Sequence, residues 1–416
     1  MNGMMYIKKS MAITISCALF LSGCAAGGAS SSGFDVGPVM SSSYFKSKVK
    51  EKQGVQKPKL DIIVPVFDPG LPDDPEKYAK EGIWPELRRA ESARFAYKMK
   101  LALEKTEAFG AVRVMPDKTA TGDLYVLGII EESNGENVEI GIKVYDISGK
   151  LWFSKSFTHD IAADFYSNIR NKGKDPYDPV FKKAAERLVE ELDYNAAEDL
   201  ARLQALTNLR FGANFSQAAF SQHMKRKGKI VSLVSYPDEN DVMLRRVQAI
   251  RVRDQLFTDR MQPHYEEFSR KMDDSYTAWQ KQSFTELAGE RQAKRDAAGS
   301  AIAGVALIGL AVLSAVAGAQ SDTYAGQTVG TTGAVVGGMV GARLLEKSFQ
   351  TSKEAKFHRE ALAELGQSID SEMAPQVVKF EKSTLKLTGS AKEQFAQWRA
   401  FLKKIYAQEA TPDVQL

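Results

Sequence analysis

The chain has two cysteines among 416 residues, Cys17 and Cys24, and both fall within its first 24 positions. Any cleavage ahead of Cys24 leaves one thiol, and if that thiol is acylated none remains for a disulfide, a metal or catalysis. Histidine is nearly as scarce: His159, His223, His264 and His358 are scattered without metal-ligand spacing. HExxH, GxSxG, phosphate-loop and dinucleotide-glycine motifs are absent, which removes the commonest hydrolase, zinc and nucleotide chemistries. Excess charge is missing too, with 56 basic against 52 acidic residues and a net charge of +4. Removing residues 1–23 takes away Lys8 and Lys9 and leaves 4 − 2 = +2. Nucleic acid is therefore not an expected partner. The one acidic cluster, Asp68, Asp73, Asp74 and Glu76, is interleaved with Pro69, Pro72 and Pro75 and lacks the ligand order of a calcium loop, so it reads as a solvated turn.

What is present begins with a leader. A short basic stretch ends in Lys8-Lys9, an apolar run follows from Met11 to Leu21, and Ser22-Gly23-Cys24 closes it. Leu21-Ser22-Gly23-Cys24 resembles the lipobox of bacterial lipoproteins. That resemblance implies cleavage between Gly23 and Cys24, diacylglycerol on the Cys24 sulfur and an acyl chain on its new amine. Ala25, standing where an Asp would signal retention, is similar to lipoproteins sorted to the outer membrane, facing the periplasm. Residues 24–58 then read as a flexible tether. Gly, Ser and Ala dominate as far as Ser43, and Lys46, Lys48, Lys50, Lys52, Lys57 and Lys59 make its end and the start of the fold basic.

With 44% hydrophobic and 26% charged residues the remainder can bury a sizeable core, and the pattern predicts an α+β chain. A small α/β domain is expected over residues 59–160. Leu60 to Phe67 reads as a strand, Asp68 to Gly82 as a turn-rich loop, and Pro85 opens a helix closed by Gly110, with Phe95, Met99 and Leu103 on one face. Ala111 to Met115, Asp123 to Glu132, Asn137 to Ile147 and Leu151 to Phe157 read as strands, with a type I′ turn at Asn134-Gly135. This element order and the Gly149-Lys150-Leu151-Trp152 turn-strand resemble small periplasmic domains such as those of the curli-secretion lipoprotein and the amino-terminal domain of the Tol-system propeller protein. Those relatives use the fold for protein contacts, so the resemblance implies contact or assembly without catalysis.

A mostly helical region is expected over residues 161–296. Asp178-Pro179 supplies an N-cap and first helical residue, with Val180, Ala184, Leu188 and Leu192 on one stripe. Leu200, Leu203, Leu206 and Leu209 continue the pattern, and Ile230 to Val234 is ambiguous. A long charged helix after Pro237 carries Val247, Ile250, Leu256 and Phe257, and a separate helix beyond Pro263 carries Tyr265, Phe268, Met272 and Trp279. Within residues 343–416, expected to be helical, Leu344 to Met373 forms one helix that Pro375 ends. Ser390 and Glu393 form a capping box for the last helix, whose stripe is Phe395, Trp398, Leu402 and Ile405.

Between these lies the least ordinary stretch, residues 297–342. Ala297 to Ser321 is 25 residues without a charge, and Thr323 to Ala342 is 20 more. Twenty helical residues rise about 30 Å, a bilayer's hydrocarbon thickness. The second limb spaces glycine by four, at Gly326 and Gly330 and again at Gly333, Gly337 and Gly341, a side-chain-free helix face on which another helix can pack closely. Basic residues bracket the pair, Arg291, Lys294 and Arg295 before and Arg343 and Lys347 after, as in a hairpin entering a membrane from one side. A flexible loop beside one buried helix is the competing reading. In plan the combination of lipid anchor and glycine-rich hairpin resembles the plasmid surface-exclusion lipoproteins, which implies an oligomer.

The sequence thus leads to the expectation of a non-enzymatic, lipid-anchored envelope protein without a cofactor beyond its covalent lipid. Its expected partners are membrane lipid, further copies of itself and other envelope proteins. A monomeric adaptor that activates an envelope enzyme is the alternative, and a carboxylate-dependent envelope hydrolase comes third.

Overall fold

Residues 57–303, 353–368, 376–380 and 383–409 are described by the structure, a computed structural model. The chain is α+β: a small α/β region leads into a helical region built around one long helix. Strand β1 (Ile62–Pro65) is followed by the short α1 (Glu76–Glu81) and by α2 (Pro85–Glu104). Then come β2 (Val112–Met115), β3 (Leu124–Ser133), β4 (Asn137–Asp146) and β5 (Leu151–Asp160). These strands make one sheet in the order β2-β1-β3-β4-β5. β1 lies parallel to both β2 and β3, while β3, β4 and β5 form an antiparallel meander.

The two kinds of pairing are buried differently. β1 is covered on both faces, and its four residues are all buried. Ile62 and Val64 point into one core and Ile63 into a second on the opposite side. On β4 the alternation is the expected one: Val138, Ile140, Ile142 and Val144 are buried, and Lys143 between them is exposed. α2 presents Phe95, Met99 and Leu103 to the first core, as predicted, and α3 (Asp178–Asp193) adds Val180, Ala184, Leu188 and Leu192.

α4 (Ala197–Ala213), α5 (Gln217–Phe220) and a hairpin of β6 (Met224–Lys227) and β7 (Ile230–Leu233) lead into α6, Val242–Ala303, a helix of 62 residues. α7 (Lys353–Ser368), a second hairpin of β8 (Gln376–Phe380) and β9 (Ser383–Leu387), and α8 (Ala391–Glu409) complete the described chain. The first half of α6 supplies Leu244, Val247, Ile250, Phe257 and Met261 to the second core, where it meets Phe395, Trp398 and Leu402 of α8. Its second half supplies Tyr265, Phe268, Met272, Tyr276 and Trp279 to the first core. One helix therefore serves both sides of the sheet.

Several expectations are corrected. Pro263 does not separate two helices but lies inside α6, at the handover between Met261 of one core and Tyr265 of the other. An interior proline costs a helix roughly 3 kcal/mol. Burying a large apolar side chain returns about 1.5–3 kcal/mol each, and several lie on either side of this break. The Gln262 side chain adds a local clamp: its Oε1 accepts from the Val114 N–H at 2.8 Å and its Nε2 donates to the Val114 carbonyl at 3.0 Å. That clamp pairs backbone groups on the free edge of β2 and shields the edge from other strands. Leu256, expected on the packing stripe, is 57% exposed because it stands about 100° around the helix from buried Phe257.

At Asn134-Gly135 the hairpin exists but the turn is not type I′. Gly135 alone takes a positive φ, 89°, because Asn134 Oδ1 accepts from the Glu136 and Asn137 N–H groups and so stays outside the left-handed region. Residues 76–81, assigned to loop, form α1, which Gly82 ends at φ 72°. α2 ends at Glu104 with Lys105 as C-cap rather than at Gly110. The N-cap of α3 is Tyr177, with Asp178 already helical; Asp175, upstream, accepts the Tyr177 N–H at 2.9 Å. The β6–β7 hairpin falls on the ambiguous run, and β8–β9 interrupts a region expected to be helical throughout. The capping box is formed as predicted: Ser390 N–H donates to Glu393 Oε2 at 2.8 Å and Glu393 N–H donates to Ser390 Oγ at 3.3 Å. Its helix packs on α6, with the Trp398 and Phe257 rings stacked at 4.8 Å.

Candidate functional site

Cys24 and Gly23, the proposed lipidation and cleavage positions, lie outside the described residues, as do Gly326, Gly330, Gly333, Gly337 and Gly341. The body enters its fold at Lys57, whose ammonium donates to the Leu192 and Asp193 carbonyls at the end of α3 at 3.2 and 3.0 Å. Among the described residues no group of three or more His, Cys, Asp or Glu side chains is placed to hold a metal, and no helix is long and apolar enough to cross a membrane. The four histidines sit on separate elements. His358 of α7 meets Ser275 of α6 at 3.0 Å, and His223 meets Ser235 at 2.8 Å. Burial and Lys183 lower the pKa of His159, and burial lowers that of His264. Of the acidic loop, Asp68 accepts the Gly70 N–H and Asp74 the Glu76 N–H, so both carboxylates serve local turns.

The densest polar constellation is instead buried where α6 crosses α2. Arg94, 2% exposed, pairs with Asp175 at 2.8 Å and with Asp273 of α6, and donates to the Ser269 carbonyl at 3.0 Å. Its guanidinium carbon also lies 4.7 Å from the centre of the Tyr276 ring. Lys98 adds a second cation to Asp175 at 3.1 Å, and Gln280 of α6 donates to the other Asp175 oxygen at 3.3 Å. One turn earlier on α2, fully buried Glu91 accepts from Ser133 Oγ at 2.5 Å and from the Tyr276 hydroxyl at 2.7 Å, with Arg88 at 3.7 Å. The Tyr177 hydroxyl accepts the Gly135 N–H at 2.8 Å and donates to the Asn137 carbonyl at 3.3 Å, which fixes the tip of the β3–β4 hairpin. A Cβ on Gly135 would lie 2.4 Å from that of Ser283, so the tip is pressed against α6 and requires glycine.

The two carboxylates respond to this environment in opposite directions. Burial opposes the charge on Asp175, but Arg94 and Lys98 outweigh it and hold the carboxyl at about 2. For Glu91 burial dominates over Arg88 and the two hydroxyl donors, and its pKa is raised. Burial and Glu91 likewise push the Tyr276 hydroxyl well up. Such perturbed groups accompany active sites, and these are buried between packed helices, where most of their polar atoms, though not Glu91 Oε2 or Arg94 Nε, bond to one another and fasten the elements together. None of Glu91, Arg94 or Asp175 stood out in the sequence. Apart from Arg88 and the Tyr177 N–H, their partners lie 42 to 185 positions away, and only the embedding of Glu91 and Arg94 among the buried positions of α2 could have marked them.

A second fastening ties the other half of α6. Asp254, 3% exposed, accepts from the Trp398 indole at 3.1 Å and from Arg399 at 2.8 Å. Arg113 of β2 reaches Asp259 of α6 at 2.6 Å. Both halves of the long helix are thus held to the body by side chains of opposite charge.

The Asp175 pairing carries a pH signature. Its folded pKa lies below the ordinary 3.8, so the stability it contributes is present above pH 3.8 and is lost as pH falls through about 2. Glu91 acts with the opposite sign, favouring the fold most below 4.5 and less as pH rises through its raised value. Asp175→Asn strands a buried guanidinium beside its remaining partner and should lower stability at neutral pH by on the order of 3 kcal/mol. In urea unfolding followed by circular dichroism, the gap between variant and wild type should narrow as pH falls from 3.8 toward 2. A gap independent of pH would show that the Asp175 charge does not hold the junction. Compared with known proteins, the chain matches no family model, no curated protein and no solved structure.

Proposed function

We propose that the chain is a non-enzymatic, lipid-anchored component of a bacterial cell envelope that assembles through its glycine-rich segment into an oligomeric scaffold or channel at the outer membrane. The observation that carries this reading is the reach of α6. Phe284 is the last buried residue described along it, and the helix continues for 19 residues to Ala303. At 1.5 Å per residue that is about 28 Å of helix. It leads directly into the uncharged residues that begin at Ala297. Ion pairs fasten the helix to the body as far as Arg291, which pairs with Glu136, and the 12 residues beyond it lead into the uncharged segment, so α6 serves as a strut that delivers it. Lipid on Cys24 would hold the assembly at a membrane.

The anchor is tested at Cys24. Cys24→Ala should abolish incorporation of labelled palmitate and block processing, whereas the wild-type protein should be acylated and fractionate with outer membrane. An equally labelled variant of mature mass, or a wild-type protein found only in inner membrane, would refute the respective half of the assignment.

Assembly is tested at Gly337, the middle of the last three glycines. Gly337→Leu puts a branched side chain into a backbone contact, where overpacking typically costs on the order of 1–3 kcal/mol. The variant should stay lipidated and folded but lose its large assembly in mild detergent. A monomeric wild type whose stability falls on substitution would favour the adaptor reading. A variant unchanged in both stability and assembly would leave the glycines no packing role at all.

A further inference from the structure

The β6–β7 hairpin carries a concentrated run of exposed cations. Its register pairs Lys225 with Ser232 and Lys227 with Ile230, and paired residues in an antiparallel ladder share a face. Val231, one position along, is buried, so the face carrying Lys225, Lys227, Ile230 and Ser232 is the outward one, and all four are exposed. Gly228, at φ 63°, and Lys229 make the two-residue turn, and Arg226 is exposed beside it. Four cations thus fall within five residues, and no described carboxylate forms an ion pair with any of them. Several cations of the long helix differ, since Arg245, Arg246 and Arg251 donate to polar partners.

The hairpin is also held in place. Val231 N–H donates to the Ser148 carbonyl at 2.9 Å, which seats β7 on the turn between β4 and β5. Gly149 in that turn lies under the Lys229 carbonyl, so close that an added Cβ would stand 2.8 Å from it. Exposed Lys150 and Leu151 are the next residues, so the turn on which the hairpin sits brings a further cation and, besides Ile230, a second exposed apolar side chain. Asp146, the acid nearest to Lys150 along the chain, is buried and occupied by the Ser148 hydroxyl and N–H, the Lys150 N–H and the Trp152 indole.

We infer that this hairpin, with the Lys150 turn, is a docking surface for anionic phospholipid headgroups. Clustered ammonium groups flanked by two exposed aliphatic side chains fit a negatively charged bilayer surface, where the charges meet phosphates and the apolar tips enter the boundary between headgroup and acyl chain. Concentration on a braced two-stranded ribbon suits a flat, charged plane rather than a groove. The inference rests on the lipid-anchored reading for its proximity to a bilayer, and it adds a second, electrostatic contact that orients the body.

The test separates the two contacts. Ser232→Cys, carrying an environment-sensitive fluorophore, is placed on the acylated full-length protein in vesicles of phosphatidylcholine alone or of phosphatidylcholine with phosphatidylglycerol. The probe should shift to the blue only with phosphatidylglycerol and revert when salt is raised. Adding Lys225→Ser, Lys227→Ser and Lys229→Ser should lower the ratio of docked to undocked protein roughly 10²-fold, and the three corresponding arginine substitutions should restore it. Since all three lysines are exposed, an unchanged circular dichroism spectrum is expected for both triple variants. Protein that stays on both kinds of vesicle with an unresponsive probe would overturn the inference while leaving the anchor intact. Protein that attaches to neither would instead refute the lipid anchor, and the docking surface with it. A blue shift of equal size on isolated peptidoglycan, or one abolished by inorganic phosphate at constant ionic strength, would also overturn it, since the face would then recognise an anion other than a bilayer.

Discussion

The structure depends on how Arg94 is neutralised. A guanidinium that is 2% exposed cannot stay in a protein interior without compensation, and this one takes it from two carboxylates on different parts of the chain, Asp175 before α3 and Asp273 in α6. Because removing either partner leaves a desolvated charge, α2, α3 and α6 are obliged to assemble together. The geometry specifies register as well as attachment: one turn along, Glu91 meets Tyr276, and the neighbouring Tyr177 fixes the β3–β4 tip. Buried ion pairs contribute little net stability against an apolar substitute, so their use here is better understood as fixing where a long helix lies along a sheet.

Consequences run outward from that constraint. With its second half clamped to the first core and its first half held by Asp254 to α8, α6 couples two cores that the sheet would otherwise separate. β1 is the counterpart of this arrangement in the sheet, sending Ile62 and Val64 to one side and Ile63 to the other. α7 runs alongside in the same direction as α6: its His358 meets Ser275, and its Gly366 lies against the Glu86 backbone at the start of α2, which is antiparallel to α6. The elements on either side of residues 304–352 therefore both belong to the body.

Local patterns in the sequence were the legible part. Period-two alternation in Val138 to Val144, the stripe from Phe95 to Leu103, the stripe from Val180 to Leu192, and the Ser390 and Glu393 box each depend on residues within a few positions of one another. What escaped reading depends on distance. Pro263 looks like a helix boundary until both cores are seen gripping its flanks, and Asn134 looks like a type I′ residue until its side chain is seen accepting two backbone donors. The β8–β9 hairpin carries little alternation of its own, but Val378 and Leu387 complete a core made mostly by α6 and α8. Of the candidate site, the lipobox-like Leu21 to Cys24 and the spaced glycines were legible as motifs because each is contiguous, and their roles belong to the proposal. The Glu91 and Arg94 junction was not, because its meaning lies in partners brought together by the fold.

α6 can act as a strut joined to both cores only if it is one helix through Pro263. Nitroxide labels at exposed Ala249 and Asp274 bracket that residue and are 25 positions apart. Pulsed electron paramagnetic resonance on the doubly labelled full-length protein should give a narrow distribution centred near 38 Å, the rise of 25 helical residues. A broad distribution, or one centred near the roughly 27 Å expected for two helices meeting at a right angle, would contradict the account.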